Sequence, residues 1–201
     1  MTCVQLSRQF RQGFRPVRKG GAGRRTGLVS GAMAGLAMAV TVSASPAGAD
    51  DGGLRAHATL HDRGGAVVGE VDFAETPTGL LVEAHLVGLP PGTHAFHLHA
   101  RGRCEGDFKS AGGHFNPDKT QHGFLSPEGP HAGDMPNIHV PASGSLTVEM
   151  FLPERLLVGQ GGLMDEDGAA LVIHEGADDY RSQPAGAAGK RIACGVIELA
   201  K

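Results

Sequence analysis

The sequence is short of three things, and each shortage excludes a class of protein. Apolar residues at three- and four-residue spacing are scarce, which excludes a helical bundle. Beyond Ala49 basic residues are few: 11 basic stand against 21 acidic, a net charge of −10 with His neutral. Nucleic acid and anionic membranes are poor partners for such a surface. Long apolar runs are also missing. The longest, Leu28 to Val42, is short and glycine-bearing, ill suited to spanning a bilayer. Internal repeats and linkers are absent, and no helix follows the glycine-rich loops, so they do not read as phosphate cradles.

Residues 1–25 hold Arg8, Arg11, Arg15, Arg18, Lys19, Arg24 and Arg25 and no acid. The apolar run follows, then Ala47-Gly48-Ala49. A basic region, a short apolar region and a small-x-small site make a secretory signal. The expectation is that residues 1–49 are removed near Ala49 and that residues 50–201 are exported as one domain. Membrane contact is then limited to the signal. Arg24-Arg25 suits twin-arginine export as well as the general route. Of three cysteines, Cys3 lies in the leader. Cys104 and Cys194 remain, and an even pair in an exported protein is most simply one disulfide.

Strand-like alternation recurs through the rest. In Leu54–His61, Leu54, Ala56, Ala58 and Leu60 alternate with polar residues. Further strands are expected over 66–73, 80–87, 93–99, 145–152, 169–174 and 191–199, with a short one at 123–126. Turn residues separate them. Seven or eight antiparallel strands with long loops predict an all-β fold, a Greek-key sandwich or flattened eight-stranded barrel.

One stretch resists this pattern. His97 to Asp134 holds five histidines, little apolar residue and much Gly, Pro and Asp. A segment that cannot build a core needs another source of order, and metal ligation supplies one. His97 and His99 sit two apart on a strand, so both imidazoles share a face. His114, His122, His131 and Asp134 follow at intervals of 15, 8, 9 and 3 residues from His99, and His174 lies far downstream. Imidazoles with one carboxylate suit zinc in a closed tetrahedral site. Imidazoles alone with an open position suit copper. Seven ligand candidates exceed one tetrahedral site, so two ions sharing a ligand is the economical reading. His57, His61, His85, His94 and His139 read as surface histidines, and Phe96 and Phe115 as packing residues.

The segments H-L-H at 97–99, G-G-H-F-N-P at 112–117, Q-H-G at 121–123, H-A-G-D at 131–134, I-H-E-G-A-D-D at 173–179 and R-I-A-C-G-V-I at 191–197 resemble copper/zinc superoxide dismutase of the bacterial secreted kind. The resemblance implies copper held by His97, His99, His114 and His174, and zinc held by His114, His122, His131 and Asp134. It implies that Asp178 hydrogen-bonds a copper and a zinc histidine, His97 and His122. It makes Arg191 and His114 catalytic residues, and Cys104–Cys194 the family disulfide. The implied reaction turns superoxide into dioxygen and hydrogen peroxide by alternate reduction and reoxidation of copper, beside a structural zinc. A homodimer is compatible with it. Lys190 or Lys119 would join Arg191 in making the mouth positive for an anionic substrate. A non-catalytic copper- or zinc-binding or copper-transfer module of the cell envelope would share the ligands, but would not need Arg191.

Overall fold

The computed structural model describes residues 53–201. The expected export signal and its cleavage point lie outside these residues. The described residues are all-β apart from one 3₁₀ turn: β1 (Arg55–Asp62), β2 (Val67–Thr76), β3 (Gly79–Leu86), β4 (Gly92–His94), β5 (Phe96–His99), the turn Lys109–Ala111, β6 (Ile138–Val140), β7 (Leu146–Pro153), β8 (Ala170–His174), β9 (Arg191–Val196) and β10 (Glu198–Leu199). Eight strands form one sheet in the order β5-β8-β9-β1-β2-β3-β7, with β10 beside β1. Strands β4 and β6 form a separate two-stranded ladder. All pairings are antiparallel.

Alternation explains the inner face. Ala56, Ala58 and Leu60 of β1 and Leu80, Val82, Ala84 and Leu86 of β3 are buried, while Glu83 and His85 face out. Leu54, expected to point inward, is 42% exposed, because it precedes β1 and lies beyond the core's edge. Strand β8 departs from alternation and is buried throughout. Its Leu171 and Ile173 face the main core; its Ala170 and Val172 face a second cluster with Phe108, Ala111 and Cys194. A strand covered on both sides can be continuously apolar.

That second cluster lies under the loop that follows β5. Cys104 and Cys194 are bonded, closing a sequence separation of 90 residues. The disulfide fastens the loop to β9 and seals the outer side of β8 and β9.

Three expected strands come out differently. The strand at 93–99 is two strands, β4 pairing with β6 and β5 with β8. The break is at Ala95, whose N–H donates to the Gly176 carbonyl and whose carbonyl accepts from His174 N–H. The segment 123–126 is a turn, with Ser126 N–H donating to the Gly123 carbonyl and Gly123 at φ +98°. The last strand breaks at Ile197, whose N–H donates to the Ala169 carbonyl. Strand β6 was not anticipated, since three residues are too few to show a period.

The disulfide generates a prediction. Replacing both Cys104 and Cys194 by Ser should lower the unfolding free energy of the metal-free protein by about 2–5 kcal/mol. Urea denaturation followed by circular dichroism reads this, and unchanged stability would contradict the fastening role.

Candidate metal centre

Strand β5 divides its side chains between two jobs. Phe96 and Leu98 enter the core, and His97 and His99 project from the opposite face. The long loop then runs back alongside β5. Leu98 N–H donates to the Gly133 carbonyl, Phe115 N–H to the Leu98 carbonyl, and Gly133 N–H to the Phe115 carbonyl. Isolated bridges pair His99 with His114 and His97 with Asp134. Residues 15 and 37 positions away from a strand histidine are thereby set beside it. Gly133 makes this approach feasible, since a side chain there would run into the Leu98 carbonyl. Gly113, one residue before His114, faces open space instead.

Two groups of ligand atoms result. His97, His99, His114 and His174 each bring one within 4.8 Å of the others, and so do His114, His122, His131 and Asp134. His114 belongs to both. His174 reaches the first group from the end of β8.

Hydrogen bonds fix which ring nitrogens are free. A carboxylate or carbonyl oxygen only accepts, so its histidine partner must carry the proton there. His97 Nε2 donates to Asp178 Oδ2 at 2.9 Å, and His122 Nε2 donates to Asp178 Oδ1 at 3.0 Å. His99 Nδ1 donates to the Gly112 carbonyl at 3.0 Å. This leaves lone pairs on His97 Nδ1 and His99 Nε2, and on His122 Nδ1, which also faces Asp134 Oδ1 at 3.0 Å, once a cation takes the place of a proton there. Among the described residues, the buried side-chain nitrogens without a hydrogen-bond partner are His97 Nδ1, His99 Nε2, His114 Nε2 and both of His174. Buried polar atoms are normally satisfied; four histidines left wanting around one point are what an absent cation would complete. Asp134 collects the other group. Its Oδ1 lies 2.7, 3.0 and 3.3 Å from Nδ1 of His114, His122 and His131. Its Oδ2 accepts from Gly123 N–H and His131 N–H. The donor sets fit copper at the all-imidazole group and zinc at the group with one carboxylate.

Electrostatics agree. Burial pushes His97 below the ordinary imidazole value, against the raising effect of Asp178. Burial, then His114 and Arg191, hold His99 well below it. Burial, then His97 and His114, push His174 down to about 3. Burial also lowers His131. Neutral imidazoles are the metal-binding form, so these ligands need shed no proton near neutral pH. Burial alone would raise Asp178, yet its hydrogen bonds from His97 and His122 hold it at about 2. Asp134 likewise stays low, as the His114 hydrogen bond and the Gly123 N–H outweigh burial.

Some supporting residues carried no signal in the sequence. Asn137 Oδ1 accepts from Asp178 N–H, and Asn137 Nδ2 donates to the Asp178 carbonyl. Gln183 makes a reciprocal pair with the His122 backbone. Gly186, at φ +67°, passes so close that any Cβ would overlap Asp178 Oδ1. His94 was read as a surface residue and is 4% exposed. Its ring nitrogens each lie 2.8 Å from a carbonyl oxygen, of His174 and Pro90. It braces the backbone of a ligand. The other four unassigned histidines are exposed, as expected.

Arg191 stands at the entrance. Its guanidinium donates to the Phe108 and Gly112 carbonyls, both at 2.5 Å. Gly112 therefore serves His99 and Arg191 together. A cavity of about 660 Å³ opens outside, lined by Arg63, Asp107, Lys109, Glu175, Gly189, Lys190 and Arg191. Lys190 is there as expected; Lys119 is not among the lining residues, and Arg63 and Lys109 were not foreseen.

Replacing Asp178 by Asn tests the shared bridge. An amide accepts at one atom and donates at the other, so one of His97 and His122 must give up its Nε2 proton and place one on Nδ1. Metal affinity should drop about 10- to 100-fold, read by chelator competition. Unchanged affinity would show that the bridge does not set the ligands.

The family model described as copper/zinc superoxide dismutase (SODC) matches residues 67–197. The chain is 49% identical over 173 residues to superoxide dismutase (Cu-Zn) 2 of Aquifex aeolicus, spanning 84% of this chain and 98% of that protein. It is 45% identical over 139 residues to superoxide dismutase (Cu-Zn) of Caulobacter vibrioides, spanning 67% and 80%. A solved superoxide dismutase-like protein from Bacillus subtilis superposes with a TM-score of 0.67 at 41% identity, covering 70% of this chain and 96% of that one.

Proposed function

The chain belongs to the copper/zinc superoxide dismutase family, and on that premise we propose how its residues divide the work of removing superoxide. The enzyme takes two superoxide anions and two protons to dioxygen and hydrogen peroxide. Copper, when bound, supplies the electron transfer by alternating between two oxidation states, and zinc supplies a fixed charge that orders the loop.

The protein's own residues do the rest. His97, His99, His114 and His174 hold the copper, and His114, His122, His131 and Asp134 hold the zinc. The observation that carries this assignment is the convergence of unpartnered, buried imidazole nitrogens from His97, His99, His114 and His174. His114 alone offers one nitrogen to each group. Its Nε2 is the atom placed to hold a proton and pass it to the substrate side. Asp178 keeps His97 and His122 in the tautomers that point lone pairs inward.

Arg191 receives superoxide by a charge-assisted hydrogen bond. Two of its nitrogens are already engaged with backbone carbonyls, so the head is pre-oriented and loses little freedom on binding. Three more of the 11 basic residues beyond Ala49, Arg63, Lys109 and Lys190, line the mouth with it. A net charge of −10 is therefore no obstacle to an anion, because a cleft focuses local potential.

Export fits this reading. The basic, apolar and small-x-small order of residues 1–49 supports a cleaved signal. The Cys104–Cys194 disulfide supports an oxidising compartment. The copper-storage alternative has less to support it, since a storage site needs no oriented arginine at its mouth and the relatives carry superoxide dismutase names.

Metal analysis combined with stopped-flow superoxide decay tests the proposal. The loaded protein should carry one copper and one zinc and consume superoxide. Arg191→Gln should keep both metals yet lose about 10- to 100-fold at limiting substrate, the worth of one charged hydrogen bond. Full metal content without superoxide consumption would sink the assignment and leave the storage reading.

A further inference from the structure

The turn between β1 and β2 reaches the site, which nothing in the sequence suggested. Asp62 builds it: its Oδ1 accepts from Gly64 N–H at 2.8 Å and Ala66 N–H at 2.9 Å, and its carbonyl accepts from Gly65 N–H. Arg63 projects from this braced turn. Its Nε donates to the backbone carbonyl of Arg191 at 2.8 Å, across 128 residues of sequence. Its NH1 lies 3.4 Å from Asp107 Oδ1. One guanidinium thus grips the backbone of the arginine at the metal mouth and the loop that holds that arginine's head.

The loop needs holding. Gly106, Asp107 and Phe108 run consecutively at φ +54°, +57° and +64°. Glycine accepts this left-handed backbone, but Asp tolerates it less well and Phe poorly. The turn aims the Phe108 carbonyl at Arg191 NH1. Three fastenings keep it there: the disulfide at Cys104, the buried Phe108 ring, and Arg63 on Asp107. Of the three, Arg63 is the one whose side chain binds the Arg191 backbone. Among the charged residues lining the mouth, Arg63, Lys109, Lys190 and Arg191 face two acids, Asp107 and Glu175. The acid paired with Arg63 is therefore half of the negative charge there.

We propose that Arg63 is a positioning residue for Arg191, a latch between the β1–β2 turn and the 106–112 loop that fixes the anion-binding guanidinium, with Asp107 setting the charge of the mouth. The proposal rests on the reading of the site as a superoxide-consuming metal centre. The fork of a guanidinium is essential to it, because one head must serve a carbonyl and a carboxylate at once. A lysine supplies the charge without the fork.

Three variants separate position from charge: Arg63→Gln, Arg63→Lys and Asp107→Asn. Azide is the probe anion, titrated by visible absorption into the copper- and zinc-loaded protein. Arg63→Gln should weaken azide by about 2- to 10-fold, the loss of one hydrogen bond, with both metals retained. Arg63→Lys should recover the wild-type dependence of azide affinity on ionic strength while staying weak. Asp107→Asn removes an acid but keeps the Arg63–Arg191 hydrogen bond and an amide oxygen that can accept from Arg63 NH1, so it should tighten azide about 2-fold at low salt, the gain fading as salt rises. A tighter-binding variant is not what general loosening of the loop would give. Full recovery of affinity by Arg63→Lys would reduce Arg63 to a surface charge and overturn the latch. Wild-type azide affinity in Arg63→Gln would overturn it too.

The latch is also read without metals or turnover. In the metal-free protein, Arg63→Gln should speed amide hydrogen exchange across 106–112 and leave β2 and β3 unchanged. Unchanged exchange in that loop would contradict the latch. Failure of the function reading looks different: the wild-type protein would then consume no superoxide, while the exchange and azide results still stand on their own.

Discussion

Packing six imidazoles and two carboxylates out of water imposes the condition that the rest of this structure meets. Each buried nitrogen or oxygen left without a partner costs free energy on the order of 1–3 kcal/mol. The solution is divided. Asp178 and the Gly112 carbonyl take the ring nitrogens that point away from the centre. The nitrogens pointing inward are left for cations. A bound cation would satisfy them. Burial also holds the imidazoles neutral, so the condition that makes the metal-free site costly makes it ready to bind.

The scaffold follows from the same demand. The sheet gives β5 and β8 a fully apolar side, which lets their opposite side carry ligands without loss of the core. The loops then need order that they cannot get from burying apolar surface. The disulfide, the carbonyls given to Arg191, and the Asp134 and Asp178 hydrogen bonds supply it. Gly112 joins these systems, since its carbonyl serves a metal-facing histidine and the arginine at the mouth. The His99 ring and the Arg191 guanidinium are thus held by the same carbonyl.

Much of this was legible in the sequence, and the legible parts share a property. Ligand types, alternating strands and the even cysteine pair are local or countable features, and the all-β fold, the reading of two ions sharing a ligand and the disulfide followed from them; the division of the ligands into two sets came from the family resemblance. What stayed hidden depends on backbone geometry at long range. His94 looks like any strand histidine until the carbonyls of Pro90 and His174 are placed around it. Asn137, Gln183 and Gly186 act through the backbone or through empty space, which residue type does not encode. Arg63 is 128 residues from the carbonyl it holds, so no motif joins them. Lys119 misled for the converse reason: near the ligands in sequence, it is not among the residues lining the mouth.

The central claim is that one histidine, His114, belongs to two metal sites of different character. Crystals of the loaded protein, with anomalous diffraction collected at the copper and zinc absorption edges, test it most directly. Two separate peaks are expected, copper among His97, His99, His114 and His174, and zinc among His114, His122, His131 and Asp134. A single mixed site, or either metal held by residues outside these groups, would contradict it.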